Sequence, residues 1–240
     1  MFKRVIIKLS GEALAGEDLA KKFDDDVILG IIDQIKALVE SGVQVALVVG
    51  GGNFWRGRQS KDGMDKVKSD QIGMMATVMN AVYLSDMLES EGVGSVVMTP
   101  VIIGTVTQQF SKKSALQYMR DKNVVIFAAG TGHPFFSTDT IAAIRAAELE
   151  VCALLFAKTI DGVYDADPKK DFKATKMEKI TYRHIIANGL TVVDTAASAI
   201  LEEQKILSIV FALNEPGAII KCATGDEAKI YEIGTRVTVE

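Results

Sequence analysis

Long apolar runs are missing from these 240 residues, and so are most cysteines. The longest apolar stretches, residues 151–157 and 124–129, fall far short of the roughly 20 residues a membrane-spanning helix needs, and they read as buried strands. Cys152 and Cys222 are the two cysteines; far apart in largely apolar surroundings, they argue against a disulfide framework or a zinc site. Neither sign of charge dominates: 27 Lys+Arg stand against 31 Asp+Glu, for a net charge of -4, which leaves no electrostatic footprint for nucleic acid. The N-terminus enters a strand pattern at Met1-Phe2-Lys3-Arg4-Val5 without an apolar signal core or small-residue cleavage site, so a cytoplasmic location is expected. No Pro-, Ser- or Gly-rich linker, repeat or low-complexity tract divides the chain, so residues 1–240 are expected to form a single domain.

What is present alternates in period. Residues 2–9, 43–49, 95–98, 124–127, 151–156 and 206–211 are short and rich in β-branched or apolar residues, as strands are. Between them, residues 24–41 carry Val27, Ile28, Ile31, Ile32, Ile35, Leu38 and Val39 at three- and four-residue spacing, an amphipathic helix with acidic residues at its start. A long helix over residues 69–91 places Ile72, Met75, Met79, Val82 and Tyr83 on its apolar side, and shorter helices are expected at 111–122, 138–149 and 195–204. Residues 229–239 read as a terminal hairpin about Gly234. This order predicts an α/β fold, a three-layer α/β/α sandwich about a mostly parallel sheet.

In such sheets ligands bind beyond the C-terminal strand ends, and the unusual residues fall there. Gly50-Gly51-Gly52-Asn53 exposes backbone N–H groups to a phosphate, with Arg56 and Arg58 close behind, or is simply a tight turn. Two common nucleotide schemes are excluded, because there is no Gly-Lys dipeptide for a P-loop and no Gly-x-Gly-x-x-Gly. Lys8, near the end of the first strand, either snorkels to water or pairs with an anion. Asp70, Gly73, Thr77 and Asn80 make a small, polar stripe on the long helix, which either faces solvent or lines a cleft. The segment from Gly130 to Asp139 offers close backbone approach, two rings and capping hydroxyls; its alternative is a capped loop anchored in the core by Phe135 and Phe136. The acidic loop from Asp161 to Pro168 supplies Tyr164 to stack on a base and Asp165 or Asp167 to hold Mg²⁺ or a ribose, or else is a plain turn.

Taken in order, Lys8-Leu9-Ser10-Gly11-Glu12-Ala13-Leu14, Gly50-Gly51-Gly52-Asn53-Phe54-Trp55-Arg56-Gly57, Gly73-Met74-Met75-Ala76-Thr77-Val78-Met79-Asn80, the Gly130-to-Asp139 segment and Asp161-Gly162-Val163-Tyr164 with Ala166-Asp167-Pro168 resemble the uridylate kinases of the amino acid kinase family over essentially the full chain. The resemblance implies transfer of the ATP γ-phosphoryl group to UMP with Mg²⁺, giving UDP and ADP in pyrimidine nucleotide biosynthesis, by a homohexamer of dimers. It implies Lys8, Leu9, Ser10, Gly11, Gly52 and Arg56 on the ATP phosphates, with Lys158, Tyr164 and Asp167 toward the adenosine. On UMP it implies Gly51, Asp70, Thr131, Gly132, His133, Pro134, Phe135, Phe136, Ser137 and Thr138. Catalytic duty is expected of Lys8 and Arg56, with Asp139 and Asp194 orienting Lys8 or the metal. Two departures from common family patterns stand out: Lys158-Thr159 reverses the usual order, and residues 16–23 lack the Gly-Phe-Gly-like stretch that accompanies GTP activation in many relatives. The rivals are a relative phosphorylating a carboxylate or carbamate, and a nucleotide-binding regulator without catalysis.

Overall fold

The computed structural model describes residues 1–16, 21–57, 61–166, 168 and 171–240. In chain order the first half comprises β1 (Arg4–Leu9), α1 (Gly11–Leu14), α2 (Asp25–Glu40), β2 (Gln44–Val49), α3 (Lys66–Ser90), β3 (Ser95–Thr99), β4 (Gln108–Gln109), α4 (Lys112–Arg120) and β5 (Val124–Phe127). The second half continues with α5 (Thr138–Glu148), β6 (Ala153–Lys158), β7 (Val163–Tyr164), β8 (Lys176–Met177), β9 (Lys179–Thr181), α6 (Tyr182–Ala187) and α7 (Thr195–Glu203). It closes with β10 (Leu207–Ala212), α8 (Ala218–Ala223), α9 (Glu227–Ile233) and β11 (Gly234–Thr238).

Among the described residues nine strands form one sheet in the order β4-β3-β5-β2-β1-β6-β10-β11-β9, with β7 and β8 as a separate antiparallel pair. Every ladder in the large sheet is parallel except β10 with β11. The sheet is sandwiched between two apolar cores, one shared with α2, α3, α8 and α9 and the other with α4 to α7, which is the expected three-layer arrangement. From β1 the chain builds one half of the sheet through β5, then crosses to build the other half from β6. Such a switch leaves an open crevice at the strand C-termini beside β1.

Side-chain alternation decides what reaches that crevice. Val5, Ile7 and Leu9 of β1 enter the first core, while Ile6 enters the second. Lys8 has the parity of Ile6 and so emerges on the α5 side. On neighbouring β6, Leu154 and Phe156 enter that same second core, and Lys158 shares their parity. Because Lys8 is in register with Phe156, Lys158 is its diagonal neighbour on one face of the sheet.

Two expectations are corrected. Residues 227–233 form α9, and β11 pairs with β10 and β9, so there is no terminal hairpin. Ile230 and Ile233 belong to a helix face that closes over the first core, a spacing of three that also fits the helical period. On α3 the apolar side turns outward: Ile72, Met75, Met79 and Val82 are exposed, the two methionines at 48%. Its buried face is Ala76, Thr77, Val78, Asn80, Ala81, Leu84 and Leu88, whose mostly small or polar N-terminal half lets the helix approach the strand-end loops. The polar stripe therefore lines the inside, as the poor helix propensity of Gly73 and Thr77 favours.

Candidate active site

β1 ends at Leu9, and Ser10 caps the short α1, accepting a hydrogen bond from Ala13 N at 3.2 Å. The next residue, Gly11, abuts the glycine loop that follows β2. A Cβ on Gly11 would stand 2.6 Å from both Asn53 Oδ1 and Gly52 N, and one on Gly51 would stand 2.8 Å from Ala76 Cβ, so the loop-to-loop approach needs glycine. Fully buried Asn80 locks this arrangement from α3. Its Nδ2 donates to Gly50 O at 2.6 Å and to Asn53 Oδ1 at 2.8 Å, while Asn53 Nδ2 donates back to Asn80 Oδ1 at 3.0 Å. Arg56 lies at the loop's far end, its Nε toward Gly52 O at 3.4 Å and its Nη2 2.8 Å from Glu12 Oε1.

On the α5 face of the sheet, at the ends of β1 and β6, two ammonium groups share one carboxylate. Lys8 Nζ lies 2.8 Å from Asp139 Oδ1 and Lys158 Nζ lies 2.6 Å from Oδ2. Lys8 is 6% exposed and Asp139 8%. Lys158 makes an aligned hydrogen bond, whereas the Lys8 contact is an ion pair that leaves Oδ1 without one. Burial pushes the Asp139 carboxyl upward, but Lys8 and then Lys158 overcome it and hold it below its usual range. Burial, and then the adjacent Lys8, lower the Lys158 ammonium against the opposing pull of Asp139 and Asp194. Asp139 stands in the first turn of α5, where the helix terminus also favours a negative charge.

The α5 start is built by a chain of caps. Ser137 Oγ accepts from Asp139 N at 3.0 Å and Thr140 N at 3.2 Å, and itself donates to Asp194. Asp194 takes a further hydrogen bond from Thr140 Oγ1 at 3.1 Å and caps α7 through Ala197 N at 2.9 Å. It touches neither Lys8 nor Lys158; its field alone reaches Lys158.

The remainder of that segment faces outward. Ala129 and Gly130 take left-handed backbone angles, φ 59° and 56°, with Ala129 N held by Thr77 Oγ1 at 2.8 Å. Thr131 Oγ1 accepts from His133 N at 3.1 Å, and Phe135 N donates to Asp70 Oδ2 at 2.8 Å, joining α3 to this loop. Phe135 is 70% exposed and Phe136 55%, so they are not core anchors. Gly132 and His133 are exposed and Thr131, Pro134 and Thr138 partly so, which leaves the segment accessible to a ligand.

Tyr164 Oη donates to Asp161 Oδ1 at 2.9 Å, a bond that raises the phenol's pKa. Thr235 Oγ1 ties the β7–β8 hairpin to the sheet through Val163 N and Met177 O. Asp165 accepts from Thr175 N at 2.8 Å, which is turn chemistry. Asp167 and Arg58 lie outside the described residues.

A resident metal does not fit this donor set. Asp139 is committed to two lysines, Asp194 to two hydroxyls and a backbone N–H, and among the described residues no group of three His, Cys, Asp or Glu converges on one point. The chemistry gathered at these strand ends suits an anion instead: glycine backbone, Arg56 and two lysines on one carboxylate. The sequence marks Thr77 and Asn80 only as members of the polar stripe, and Glu12 only within the motif after Lys8. The offset of ten along the polar stripe marked Asn80, but its partners follow only from the loop packing.

Comparison with known proteins agrees with this fold. UMP kinase from Bacillus anthracis superposes with TM-score 0.93 at 32% identity, covering 100% of this chain and 97% of its own. UMP kinase from Ureaplasma parvum gives 0.89 at 34%, covering 99% of each, and uridylate kinase from Archaeoglobus fulgidus gives 0.74 at 25%, covering 98% and 99%. No described helix is long and apolar enough to cross a membrane. The sequence model of the Amino acid kinase family matches residues 3–212, and the chain belongs to that family.

Proposed function

We propose that this chain is a UMP kinase, transferring the γ-phosphoryl group of MgATP to UMP to give UDP and ADP. The observation that carries the reading is the buried pair Lys8 and Lys158 on Asp139, at the C-terminal ends of strands whose neighbour β2 runs into the glycine loop. Two cations on one carboxylate leave a positive excess in that contact, and the ligand that balances it best is a phosphate. The likeness to UMP kinases over the full chain supports uridylate as acceptor. We assign the work to one domain, residues 1–240, acting in the cytoplasm as one step of pyrimidine nucleotide biosynthesis.

In this reading Lys8, Leu9, Ser10, Gly11, Gly52 and Arg56 hold the ATP phosphates with Tyr164 beside the adenosine, and Lys158, expected toward the adenosine, is reassigned to the phosphates because it shares Asp139 with Lys8. Gly51, Asp70 and the run Thr131, Gly132, His133, Pro134, Phe135, Phe136, Ser137 and Thr138 hold UMP. A UMP phosphate oxygen attacks Pγ as the bond from Pγ to the β–γ bridging oxygen breaks, and ADP leaves with that electron pair. A phosphate monoester with a second pKa near 6 is already largely dianionic at neutral pH, so no side chain has to remove a proton. Magnesium arrives with its substrate, as MgATP, and offsets phosphate charge. Lys8, Lys158 and Arg56 supply fixed positive charge where the transferred group carries its negative charge. Asp139 orients both lysines, and Asp194 holds the α5 terminus that carries Asp139.

We assign the exposed Ile72, Met75 and Met79 face of α3 to contact with a second copy, in keeping with a homohexamer of dimers. Met75→Lys with Met79→Lys is expected to convert the oligomer to smaller species in sedimentation; an unchanged assembly would remove this face from the interface.

The activity is tested by ADP release with UMP, CMP, glutamate, N-acetylglutamate and carbamate as acceptors. UMP is expected to be preferred, and a preference for a carboxylate or carbamate would overturn the assignment. Measurable UDP formation would also reject a purely regulatory role. Lys8→Ala is expected to lower kcat about 100-fold or more with an unchanged circular dichroism spectrum; a near-normal rate would remove Lys8 from the mechanism.

Asp139→Asn leaves two buried ammonium groups without their carboxylate. Loss of about 3–5 kcal/mol of stability at pH 7 is expected in urea unfolding. The acid dependence has a definite sign. A carboxyl held below its unfolded value stabilises the fold above about pH 4 and loses that contribution as pH falls through the lower folded value. The variant is therefore expected to show a flatter decline in stability below pH 4 than the parent; parallel curves would mean that Asp139 is not the compensating charge.

A further inference from the structure

Glu12 is a carboxylate placed where phosphate is expected, which needs a reason. Its Oε1 lies over the glycine loop, so that a Cβ on Gly52 would stand 3.1 Å from it, and it is 2.8 Å from Arg56 Nη2. As a contribution to stability the pair is minor: the two side chains are 40% and 34% exposed, and pairs of that kind are worth about 0.2–1 kcal/mol.

The geometry of the guanidinium gives the pair another use. Nε and Nη2 lie along one edge of the planar group, and that edge is taken at both ends, by Gly52 O and by Glu12 Oε1. The end-on edge, Nη1 with the second proton of Nη2, meets no carboxylate among the described residues and matches two oxygens of a phosphate. The two anchors differ in kind. Gly52 O is backbone of the phosphate loop itself, while Glu12 stands one residue after Gly11 at the start of α1. Arg56 thus spans the loops that follow β1 and β2, and its rotation is fixed against both.

We propose that Glu12 is a positioning residue for Arg56, anchoring its side-on edge so that the end-on edge is presented to the ATP phosphates before they arrive. This deepens the kinase assignment and rests on Arg56 contacting phosphate. Glu12 touches no reacting atom in this scheme; its effect passes through the guanidinium, whose loose side chain would otherwise have to be ordered at each binding event.

The test is a double-mutant cycle read by kcat, KM for ATP, and calorimetric binding of MgATP and of UMP separately. Glu12→Ala is expected to lower kcat/KM for ATP about tenfold or more and to weaken MgATP binding, with UMP binding unchanged. Glu12→Gln keeps an Oε1 acceptor and is expected to recover most of that loss. Arg56→Lys has no side-on edge to anchor, so adding Glu12→Ala to it is expected to change nothing further.

Parent-like kinetics in Glu12→Ala would overturn the inference, and so would the same loss in the Arg56→Lys background as in the parent. Weakened binding of both nucleotides would reveal a general structural role and overturn it as well. Parent-like kinetics in Arg56→Lys would strike lower, at the assignment of Arg56 to phosphate. Loss there combined with an inert Glu12→Ala would refute only the positioning role.

Discussion

Two lysines from neighbouring strands meet one carboxylate from the start of a helix, and the other parts of the crevice are arranged about that contact. The charges come from three distant points in the chain, Lys8, Asp139 and Lys158, and none is acceptable alone in its surroundings. A buried ammonium without a partner would be driven neutral, and two facing each other would repel. Asp139 makes both tenable, and the structure spends several capping interactions on holding it: Ser137 on the α5 terminus, Asp194 on Ser137 and Thr140, and α7 behind Asp194. In the proposed phosphoryl transfer the same arrangement would supply charge fixed in advance, which costs no reorganisation at the moment of reaction.

The glycine loop meets a different demand. In the proposed reading it brings backbone N–H groups close to a phosphate while staying rigid, and glycine supplies approach but not rigidity. Rigidity comes from the reciprocal amide pair of Asn53 with Asn80 and from Lys22, whose Nζ donates to Asn53 O while its own carbonyl accepts from Asn53 Nδ2. α3 therefore has two tasks on opposite faces. Small and polar residues hold the loop inside, and methionines and isoleucine are displayed outside. That division explains why its apolar stripe misled as a guide to the core: hydrophobic periodicity reports that one face is to be covered, not by what.

Much of the fold was legible because it follows from local patterns. Strand and helix order, the parallel sheet, the α2 start at capping Asp24 and the Ser137 cap all reflect short-range chemistry. The tail was not, since Gly234 suggested a turn where it is extended backbone, packed with its Cα facing Val210 O. Small elements such as α6, α8 and β7 to β9 carry too few residues to display a period.

By itself the sequence determined the chemistry available at the strand ends: three successive glycines, Lys8, Arg56, and an acidic, hydroxyl-rich helix start. Side-chain alternation even sets the face on which Lys8 and Lys158 emerge, because the strand period is two residues. Only the tertiary structure decided which of these groups meet. The register of β1 against β6 makes the two lysines diagonal neighbours, the packing of α5 brings Asp139 between them, and the contact of two loops gives Arg56 its anchor in Glu12. Such pairings depend on relations between segments far apart in the chain, and no local pattern of residues encodes a distance across a sheet.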